Sequence, residues 1–300
     1  MKELGKVCVL GGSGFVGSEL CNQLVSNGYS VKVLTRNEGN CRHLKVLPLL
    51  SVIKIESYDA ESIAANASDC DVMVNLIGIL NEKGHTGKEF HDIHVGITRE
   101  ALNACEEIGI TRMLQMSALN ADANGPSHYL RSKGKAENYL TTFAENSIDV
   151  TVFRPSVIFG EGDSFLNRFA NLLKFVPVVF PLACADARFA PVYVGDVVSK
   201  MVNSIDDENS FGKIYELCGP NIYSLKELVQ YTANISQHKC KVIGLPTFFS
   251  KLQASLLEYV PGKPFSLDNY NSLKKDSICS NCSPCTTSLL AIAPTYLQKR

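Results

Sequence analysis

The sequence has little that would draw the protein to nucleic acid or carry it across a membrane. Its 29 lysines and arginines balance 30 aspartates and glutamates, so the formal net charge is -1 and bulk electrostatics does not recruit a polyanion. Tryptophan is absent, which by itself excludes little. No apolar run reaches the roughly 20 residues of a membrane-spanning helix, and the best candidate, Phe175–Ala185, is interrupted by two prolines. We therefore expect no transmembrane segment and no nucleic-acid partner.

The sequence also lacks the features of a targeted, disordered or fibrous chain. MKELGKVCVLGG enters a strand within a few residues, so we expect no targeting peptide. The expected location is the cytoplasm, with a peripheral position at the inner face of the cytoplasmic membrane as an alternative. Hydrophobic residues make up 45% and charged residues 20%, which excludes disorder, collagen and coiled coil. A length of 300 residues allows one large domain or two modest ones.

Eleven cysteines are present, an odd number in a chain that is not small. Five of them stand singly in apolar surroundings and are predicted to be reduced core residues: Cys8, Cys21, Cys70, Cys105 and Cys218. Three more follow a C-x2-C-x2-C spacing at Cys279, Cys282 and Cys285, which resembles part of an iron–sulfur run. The bacterial ferredoxin pattern needs a fourth cysteine where Leu289 stands. We interpret these three as reduced loop cysteines and predict no metal site.

Strand and helix patterns alternate through the first half of the chain. The apolar runs Val7–Leu10 and Val72–Ile77 indicate strands, and Val16, Leu20 and Leu24 repeat at helical spacing between strands. Such alternation predicts an α/β class protein, a doubly wound Rossmann fold with a parallel sheet, over residues 1–155. The alternation fades after Pro155. Residues 156–300 are predicted to form a small irregular C-terminal lobe, on the substrate or partner side, packed on the same sheet.

Three glycines join the first strand to the first helix at the spacing of a dinucleotide-binding turn. Gly11 allows the tight turn, Gly14 lets the backbone approach a pyrophosphate, and Gly17 lets the helix pack closely. The helix N-terminus offers free N–H groups to phosphate. The alternative is a tight turn without a ligand. The predicted contacts of the cofactor in this segment are Gly11, Ser13, Gly14, Phe15, Val16 and Gly17.

The end of the second strand bears on the choice between NAD and NADP. An NAD site usually carries an acidic residue there. This strand is instead followed by Arg36, whose guanidinium could form two parallel hydrogen bonds to a 2′-phosphate. NADP(H) is therefore favoured, and NAD(H) stays open because a shifted register would place Glu38 there. Asp59 either accepts from the adenine amino group or caps a helix. Further along, the cofactor's ribose is expected to pass a segment formed by Leu76, Ile77 and Gly78.

Tyr129 and Lys133 are one helical turn apart and are predicted to share a face. The ammonium is expected to lower the pKa of the phenol towards working pH, which would make Tyr129 a general acid or base. Ser117, at the end of the preceding strand, could bond a substrate oxygen. Two other Tyr-x3-Lys matches begin at Tyr259 and Tyr270, so the position after the Rossmann strands, not the pattern, selects Tyr129.

Several of these motifs together resemble the short-chain dehydrogenase/reductase superfamily in its extended and atypical forms. The resemblance is carried by GGSGFVG, Asn75–Gly78, Ser117, Tyr129–Lys133, Arg154–Gly160 and Pro191–Val197. YLRSK, RPSxIFG and the closing Pro294–Leu297 are most similar to the NADPH-binding accessory subunit of respiratory complex I and its bacterial and ubiquinone-biosynthesis relatives.

That resemblance implies a cofactor-holding protein without established turnover. Such proteins are associated with the assembly or stability of a membrane-bound, quinone-linked complex, or with ubiquinone synthesis. Lys133 would hold the nicotinamide ribose and Pro155 would flank the nicotinamide. The alternative is an NADP-dependent oxidoreductase or epimerase that uses Ser117, Tyr129 and Lys133 on a small substrate.

Two further clusters have ordinary explanations as well as functional ones. His91 and His94 lie three residues apart, which would suit a metal ligand pair or a polar helix start. An apolar helix face is predicted at Phe248, Phe249, Leu252, Leu256 and Leu257. We interpret this face as core, with a partner or membrane-surface contact as the alternative.

Overall fold

The computed structural model describes residues 4–144, 147–176, 178–260, 263–280 and 285–298. Its strands are β1 Leu4–Leu10, β2 Tyr29–Thr35, β3 Leu50–Lys54, β4 Val72–Asn75, β5 Arg112–Met116, β6 Asp149–Pro155, β7 Ile158–Phe159, β8 Val179–Leu182, β9 Arg188–Phe189, β10 Val192–Tyr193, β11 Ile214–Leu217, β12 Tyr223–Ser224 and β13 Lys241–Gly244. Its helices are α1 Phe15–Ser26, α2 Ala60–Ala67, α3 Lys88–His91, α4 Ile97–Ile108, α5 His128–Phe143, α6 Leu166–Leu173, α7 Val194–Asn203, α8 Leu225–Ile235, α9 Thr247–Leu257, α10 Leu267–Ser272 and α11 Leu289–Leu297, with a π-helical turn at Asp92–Gly96 between α3 and α4.

Seven parallel strands form the central sheet in the order β11-β6-β5-β4-β1-β2-β3. The order reverses between β1 and β4, so the carboxyl ends of these two strands border the crevice in which doubly wound folds bind ligands. The predicted α/β Rossmann fold is confirmed.

Side chains of the central strands alternate between two cores, one on each face of the sheet. Val7 and Val9 join a cluster with α1 and α7, whereas Cys8 and Leu10 join a cluster with α2, α4 and α5. The central strands of a parallel sheet covered on both faces are buried on both sides, and β4 and β5 are buried at every position. The polar side chains on these two strands, Asn75, Arg112 and Gln115, are hydrogen-bonded within the protein.

The C-terminal half completes this sheet and adds a small lobe. β11 pairs with β6 at the sheet edge, and α7 packs on α1. Buried Arg112 fixes this edge, because its guanidinium donates to the Ile205 carbonyl at 3.0 Å and to the Ser210 hydroxyl at 2.8 Å. Within the lobe, the Tyr296 hydroxyl donates to buried Asp163 at 2.8 Å and so ties α11 to the loop after β7.

One predicted core face lies on the surface. The exposed fraction is 74% at Phe248, 46% at Leu252 and 64% at Leu256, and Phe249 is also exposed. The expectation that this face of α9 packs in the core is wrong, and of the predicted set Leu257 alone is half-buried.

In the described parts of the chain, no helix is both long and apolar enough to cross a membrane.

Candidate functional site

The turn between β1 and α1 needs glycine at its first position for two reasons. Gly11 has φ +86°, a conformation that side chains with a Cβ rarely adopt. A Cβ there would also lie 3.2 Å from the Ile77 nitrogen and the Leu76 carbonyl carbon, so the segment after β4 packs directly on the turn. The Gly14 N–H closes the turn on the Gly11 carbonyl at 3.1 Å.

The other two glycines of the motif have different surroundings. A Cβ on Gly17 would lie 2.2 Å from the Gly11 carbonyl oxygen, so Gly17 permits the close packing of α1 on its own turn. A Cβ on Gly14 would meet the Gly11 oxygen alone, at 3.3 Å, and would otherwise project into open space. Gly14 therefore presents bare backbone to whatever occupies that space.

The N-terminus of α1 faces the same open space. Its capping residue, Gly14, supplies no side-chain acceptor, and its first turn contains no acidic residue. The first N–H groups of a helix lack intrahelical partners and carry partial positive charge, so this end suits an anion. Ser13, Phe15 and Val16 are half-buried beside it, and the Phe15 ring contacts the loop at Gly160. These residues fit the pyrophosphate of a dinucleotide.

Arg36 and Asp59 lie at the carboxyl ends of β2 and β3. Arg36 is exposed, and its guanidinium carbon lies 5.4 Å from the centre of the Tyr58 ring. Asp59 caps α2, accepting from the Ser62 N–H at 2.7 Å, and this hydrogen bond holds the pKa of its carboxyl below the usual value. The helix cap that the sequence allowed for Asp59 is present, and its contact with the adenine stays a prediction.

A buried polar network positions the segment Leu76–Gly78 after β4. The Asn75 side chain accepts from the Ile77 N–H at 3.1 Å. It donates to the side-chain oxygen Oε1 of Gln115 at 3.0 Å and to the Thr98 hydroxyl at 3.3 Å. The segment that covers the glycine turn is thus anchored in the core below it.

Lys133 lies on the opposite side of this segment. Its Nζ donates to the Met116 carbonyl at 3.2 Å and would lie 3.1 Å from a Cβ on Gly78, so the glycine leaves room for the ammonium. Burial lowers the pKa of Lys133 to about 8, and the Glu137 carboxylate opposes that shift.

Ser117 and Pro155 follow neighbouring strands next to the lysine. The Ser117 hydroxyl is buried and has no hydrogen-bond partner among the residues that the structure describes. Buried hydroxyls are rarely left unpaired, so this oxygen suits a ligand that completes its hydrogen bonding. Pro155 is buried at the end of β6, where its carbonyl accepts from the Leu119 N–H at 2.9 Å.

Tyr129 is held in an aromatic pocket. Its ring meets Phe90 and His94 edge-on, with centroid distances of 5.9 and 5.6 Å. Burial raises the pKa of the Tyr129 phenol to about 12. The expectation that Lys133 lowers this pKa is wrong, because desolvation of the phenolate by burial sets the direction of the shift.

His94 is a site residue whose role the sequence did not reveal. It is 2% exposed, and its Nε2 accepts from the Ile79 N–H at 3.1 Å. Burial lowers the pKa of His94 to about 2, so the ring stays neutral. Within the described residues no group of three or more His, Cys, Asp or Glu could hold a metal. The sequence does contain an indication that His94 is buried, because it lies at helical spacing before Thr98 and Ala101, which are buried on α4.

A cavity of about 230 Å³, lined in part by Phe90 and His128, opens between the chain near residues 81–85 and α10. Asp268 lies on its wall and accepts from the N–H groups of His128 and Tyr129 at 2.6 and 3.1 Å, which caps α5. The Asn81 side-chain oxygen, also on the wall, is buried without a hydrogen-bond partner in the described residues. A small polar molecule would fit here.

Two cysteines differ from their predicted state. Cys218, predicted to be a free core thiol, forms a disulfide with Cys279, predicted to be a reduced loop cysteine. The two are 61 residues apart, so no local spacing pairs them. The Cys285 N–H donates to the Cys218 carbonyl at 2.7 Å, while Cys282 lies outside the described residues.

The sheet order and the glycine turn have counterparts in known proteins. A model of the NAD dependent epimerase/dehydratase family matches residues 7–218. The chain belongs to that family. Within the epimerase/dehydratase family it is 31% identical to NADH dehydrogenase (ubiquinone) 1 alpha subcomplex subunit 9, mitochondrial, of Arabidopsis thaliana, over 91% of this chain and 70% of that protein. The subunit of the same name from Mus musculus is 32% identical over 86% of this chain and 68% of its own length.

Solved structures of the epimerase/dehydratase type share the fold. UDP-glucuronic acid 4-epimerase from Bacillus cereus, solved with UDP-glucuronic acid and NAD, has a TM-score of 0.73 at 19% identity over 98% of this chain and 99% of its own. UDP-glucose 4-epimerase of Thermus thermophilus, solved with NAD, has a TM-score of 0.68 at 17% identity over 88% and 98%.

Proposed function

We propose that the chain is a subunit or assembly factor that holds NAD(P)(H) for respiratory complex I or for ubiquinone metabolism. The observation that carries this proposal is the 31% identity over 91% of the chain to a protein named as a mitochondrial subunit of NADH dehydrogenase (ubiquinone). The open space at Gly14, the uncapped N-terminus of α1 and the unpaired Ser117 hydroxyl fit a bound dinucleotide. In this role Lys133 contacts the nicotinamide ribose and Pro155 flanks the nicotinamide.

The environment of Tyr129 does not support turnover by base catalysis. Burial raises the pKa of its phenol to about 12, so the neutral form prevails at pH 7 and suits a proton donor but not a general base. Its packing against Phe90 and His94 serves to shape the site instead.

NADP(H) is the form of the cofactor that we favour. Arg36 stands exposed after β2 and stacks on Tyr58, which leaves its N–H groups available for a 2′-phosphate. The nearest carboxylate in sequence, Glu38, faces Lys45 at 2.8 Å.

The first experiment extracts the purified protein under denaturing conditions after gel filtration and quantifies the released nucleotide. Near-stoichiometric NADP(H) is expected. Arg36→Ala should reduce retained NADP(H) at least about tenfold, as loss of a charged hydrogen bond does, while Arg99→Ala, an exposed arginine on α4, should retain it. Retained NAD(H) in place of NADP(H) would contradict the role of Arg36.

The partner is tested separately from the cofactor. A tagged chain, purified from its own cells in mild detergent, is expected to carry with it complex I subunits or enzymes of ubiquinone synthesis. Recovery of the chain alone, with nucleotide bound, would leave the cofactor site intact and would reject the partner.

A second function has one observation in its favour. The cavity lined by Phe90 and His128, with the unpaired side-chain oxygen of Asn81 on its wall, suits a small substrate of an NADP-dependent oxidoreductase or epimerase. The nicotinamide, when bound, would accept or return a hydride. Tyr129→Phe should then abolish turnover in a substrate screen, whereas under the holding function it should leave nucleotide retention unchanged.

A further inference from the structure

Helix α9 packs on the protein with its small and polar side and turns its large apolar side chains outward. Ser250 and Ala254 are buried, one turn apart, while Phe248, Leu252 and Leu256 lie four residues apart on the opposite side and are exposed. A surface helix of a globular protein normally has the reverse arrangement.

Hydrogen bonds fix α9 in this orientation. The Ser250 hydroxyl accepts from the Cys184 N–H at 3.2 Å and donates to the Leu245 carbonyl at 3.1 Å. The Gln253 side chain donates to the Pro181 carbonyl at 3.0 Å and accepts from the Ala183 N–H at 3.1 Å. The helix cannot roll its apolar side inward without losing these bonds.

The exposed side extends beyond the helix. We define the apolar face as Phe248, Phe249, Leu252, Leu256, Tyr259 and Val260, all exposed. Val179 and Ile243 lie on the neighbouring β8–β13 pair, to which Gln253 of α9 is hydrogen-bonded, and are exposed at 43% and 44%. Single exposed apolar residues are ordinary, but a contiguous set of this kind marks a binding surface.

Positive charge borders the apolar face. Lys239, Lys241 and Lys251 are exposed, and Lys241 shares the outward side of β13 with Ile243. The single carboxylate between residues 237 and 260 is Glu258, which is buried and faces His85 at 3.0 Å. In a chain whose net charge is -1, this segment is locally cationic.

We propose that the apolar face and its lysines bind the surface of a lipid bilayer that contains anionic lipid. Lysine is depleted in protein–protein interfaces, whereas interfacial helices combine Phe, Leu and Tyr with a lysine border. A second copy of the chain would bring the lysines of two faces together. The 11 residues of α9 span about 16 Å, too short to cross a bilayer, so the helix lies in the plane of the surface. This surface is independent of the proposed cofactor site.

The absence of tryptophan makes a direct test available. In Phe248→Trp the new indole is the sole tryptophan of the chain, and vesicles of phosphatidylcholine with phosphatidylglycerol should shift its emission to the blue. The control is Phe143→Trp, on α5, where Phe143 is 57% exposed far from α9 in sequence, and its emission should not move. Equal shifts in both variants, or none in either, would overturn the proposal.

Charge and self-association are tested with the same probe. Vesicles of phosphatidylcholine alone should weaken binding at least about tenfold. The added substitutions Lys241→Gln and Lys251→Gln should have an effect of at least the same size, because each lysine near an anionic surface contributes about fivefold to the affinity. A blue shift that grows with protein concentration in the absence of vesicles would identify a second copy as the occupant and reject the bilayer. The urea unfolding midpoint of each variant, compared with that of the wild type, reports whether the fold is intact, whichever way the proposed function is decided.

Discussion

His94 Nε2 accepts a hydrogen bond from the Ile79 N–H at 3.1 Å. Because that nitrogen is the acceptor, Nδ1 carries the proton and donates to the Ser132 hydroxyl at 2.7 Å, which in turn donates to the Tyr129 carbonyl at 2.8 Å. One neutral imidazole therefore links the segment after β4 to helix α5, the two elements that present Gly78 and Lys133 to the site.

This arrangement predicts a loss of stability in acid. Burial holds the pKa of His94 at about 2, against about 6.5 in the unfolded chain, so the unfolded state binds the extra proton first. Stability is complete above pH 6.5 and falls as the pH drops below it. Between pH 7 and pH 5 the free energy of unfolding should decrease by about 2 kcal/mol from this group. Urea denaturation at the two pH values measures it.

The control for this experiment is an exposed histidine of the same region. His94→Gln should be less stable than the wild type at pH 7, but its stability should change less between pH 7 and pH 5. His91→Gln, whose side chain is 55% exposed, should behave as the wild type does. If His94→Gln keeps the full acid dependence, the neutral His94 is not its source.

Local patterns of the sequence suffice for most of the first half of the fold. β5 occupies the predicted residues Arg112–Met116, and Gly109 ends α4 with φ +77°, as a helix-terminating glycine does. β4 ends at Asn75, two residues earlier than predicted, because the Asn75 side chain takes the Ile77 N–H that would have continued the ladder. The position of the Asn75 side chain depends on its hydrogen bond to Gln115. Gln115 lies on β5, 40 residues further along the chain, so local sequence patterns do not reveal this contact.

The site was less predictable where a side chain's partner is distant in sequence. The sequence alone is compatible with Asp59 as a helix cap and as a ligand-binding carboxylate, because the groups around its side chain depend on the tertiary structure. The environment of Tyr129 depends on Phe90, which is remote in sequence. For α9, periodicity located an apolar face at Phe248 and Leu252 but could not tell which side the rest of the chain covers.

Gly14→Ala should empty the cofactor site without unfolding the protein. Gly14 has φ -77°, which alanine adopts readily, and the new Cβ would meet only the Gly11 oxygen at 3.3 Å. The methyl group would occupy the space in which the pyrophosphate is expected. Nucleotide recovered by denaturing extraction should fall at least about tenfold, and the melting temperature should drop to that of the nucleotide-free protein.

Gly96→Ala is the matched control. A Cβ at Gly96 meets nothing within 4 Å and the residue has φ -59°, so alanine should raise the free energy of unfolding by about 0.5–1 kcal/mol. Its nucleotide content should equal that of the wild type. A Gly14→Ala protein that still holds a full complement of nucleotide would place the phosphates elsewhere.

Removal of the Cys218–Cys279 disulfide should destabilise the protein markedly. The bond closes a loop of 61 residues, which corresponds to about 4 kcal/mol in the chain-entropy account. The double variant Cys218→Ser, Cys279→Ser should therefore unfold at lower urea, while Cys184→Ser, at a half-buried free thiol, should change little. If a reducing agent leaves the wild-type midpoint unchanged, the hydrogen bonds of Ser277 to Ser156 and Ala190 suffice to hold this segment.

Tyr296→Phe tests whether α11 is held by its buried hydrogen bond or by packing alone. The hydroxyl donates to Asp163, which is 2% exposed and also accepts from the Phe165 N–H at 2.8 Å. Loss of a donor to a buried carboxylate costs about 1.5–3 kcal/mol, because the oxygen left behind finds no water. Tyr259→Phe removes a hydroxyl from a side chain that is 77% exposed, and its urea midpoint should match the wild type. Equal midpoints for both variants would mean that apolar packing of Leu289, Ala293 and Leu297 alone secures the helix, and that Tyr296 contributes its ring but not its hydroxyl.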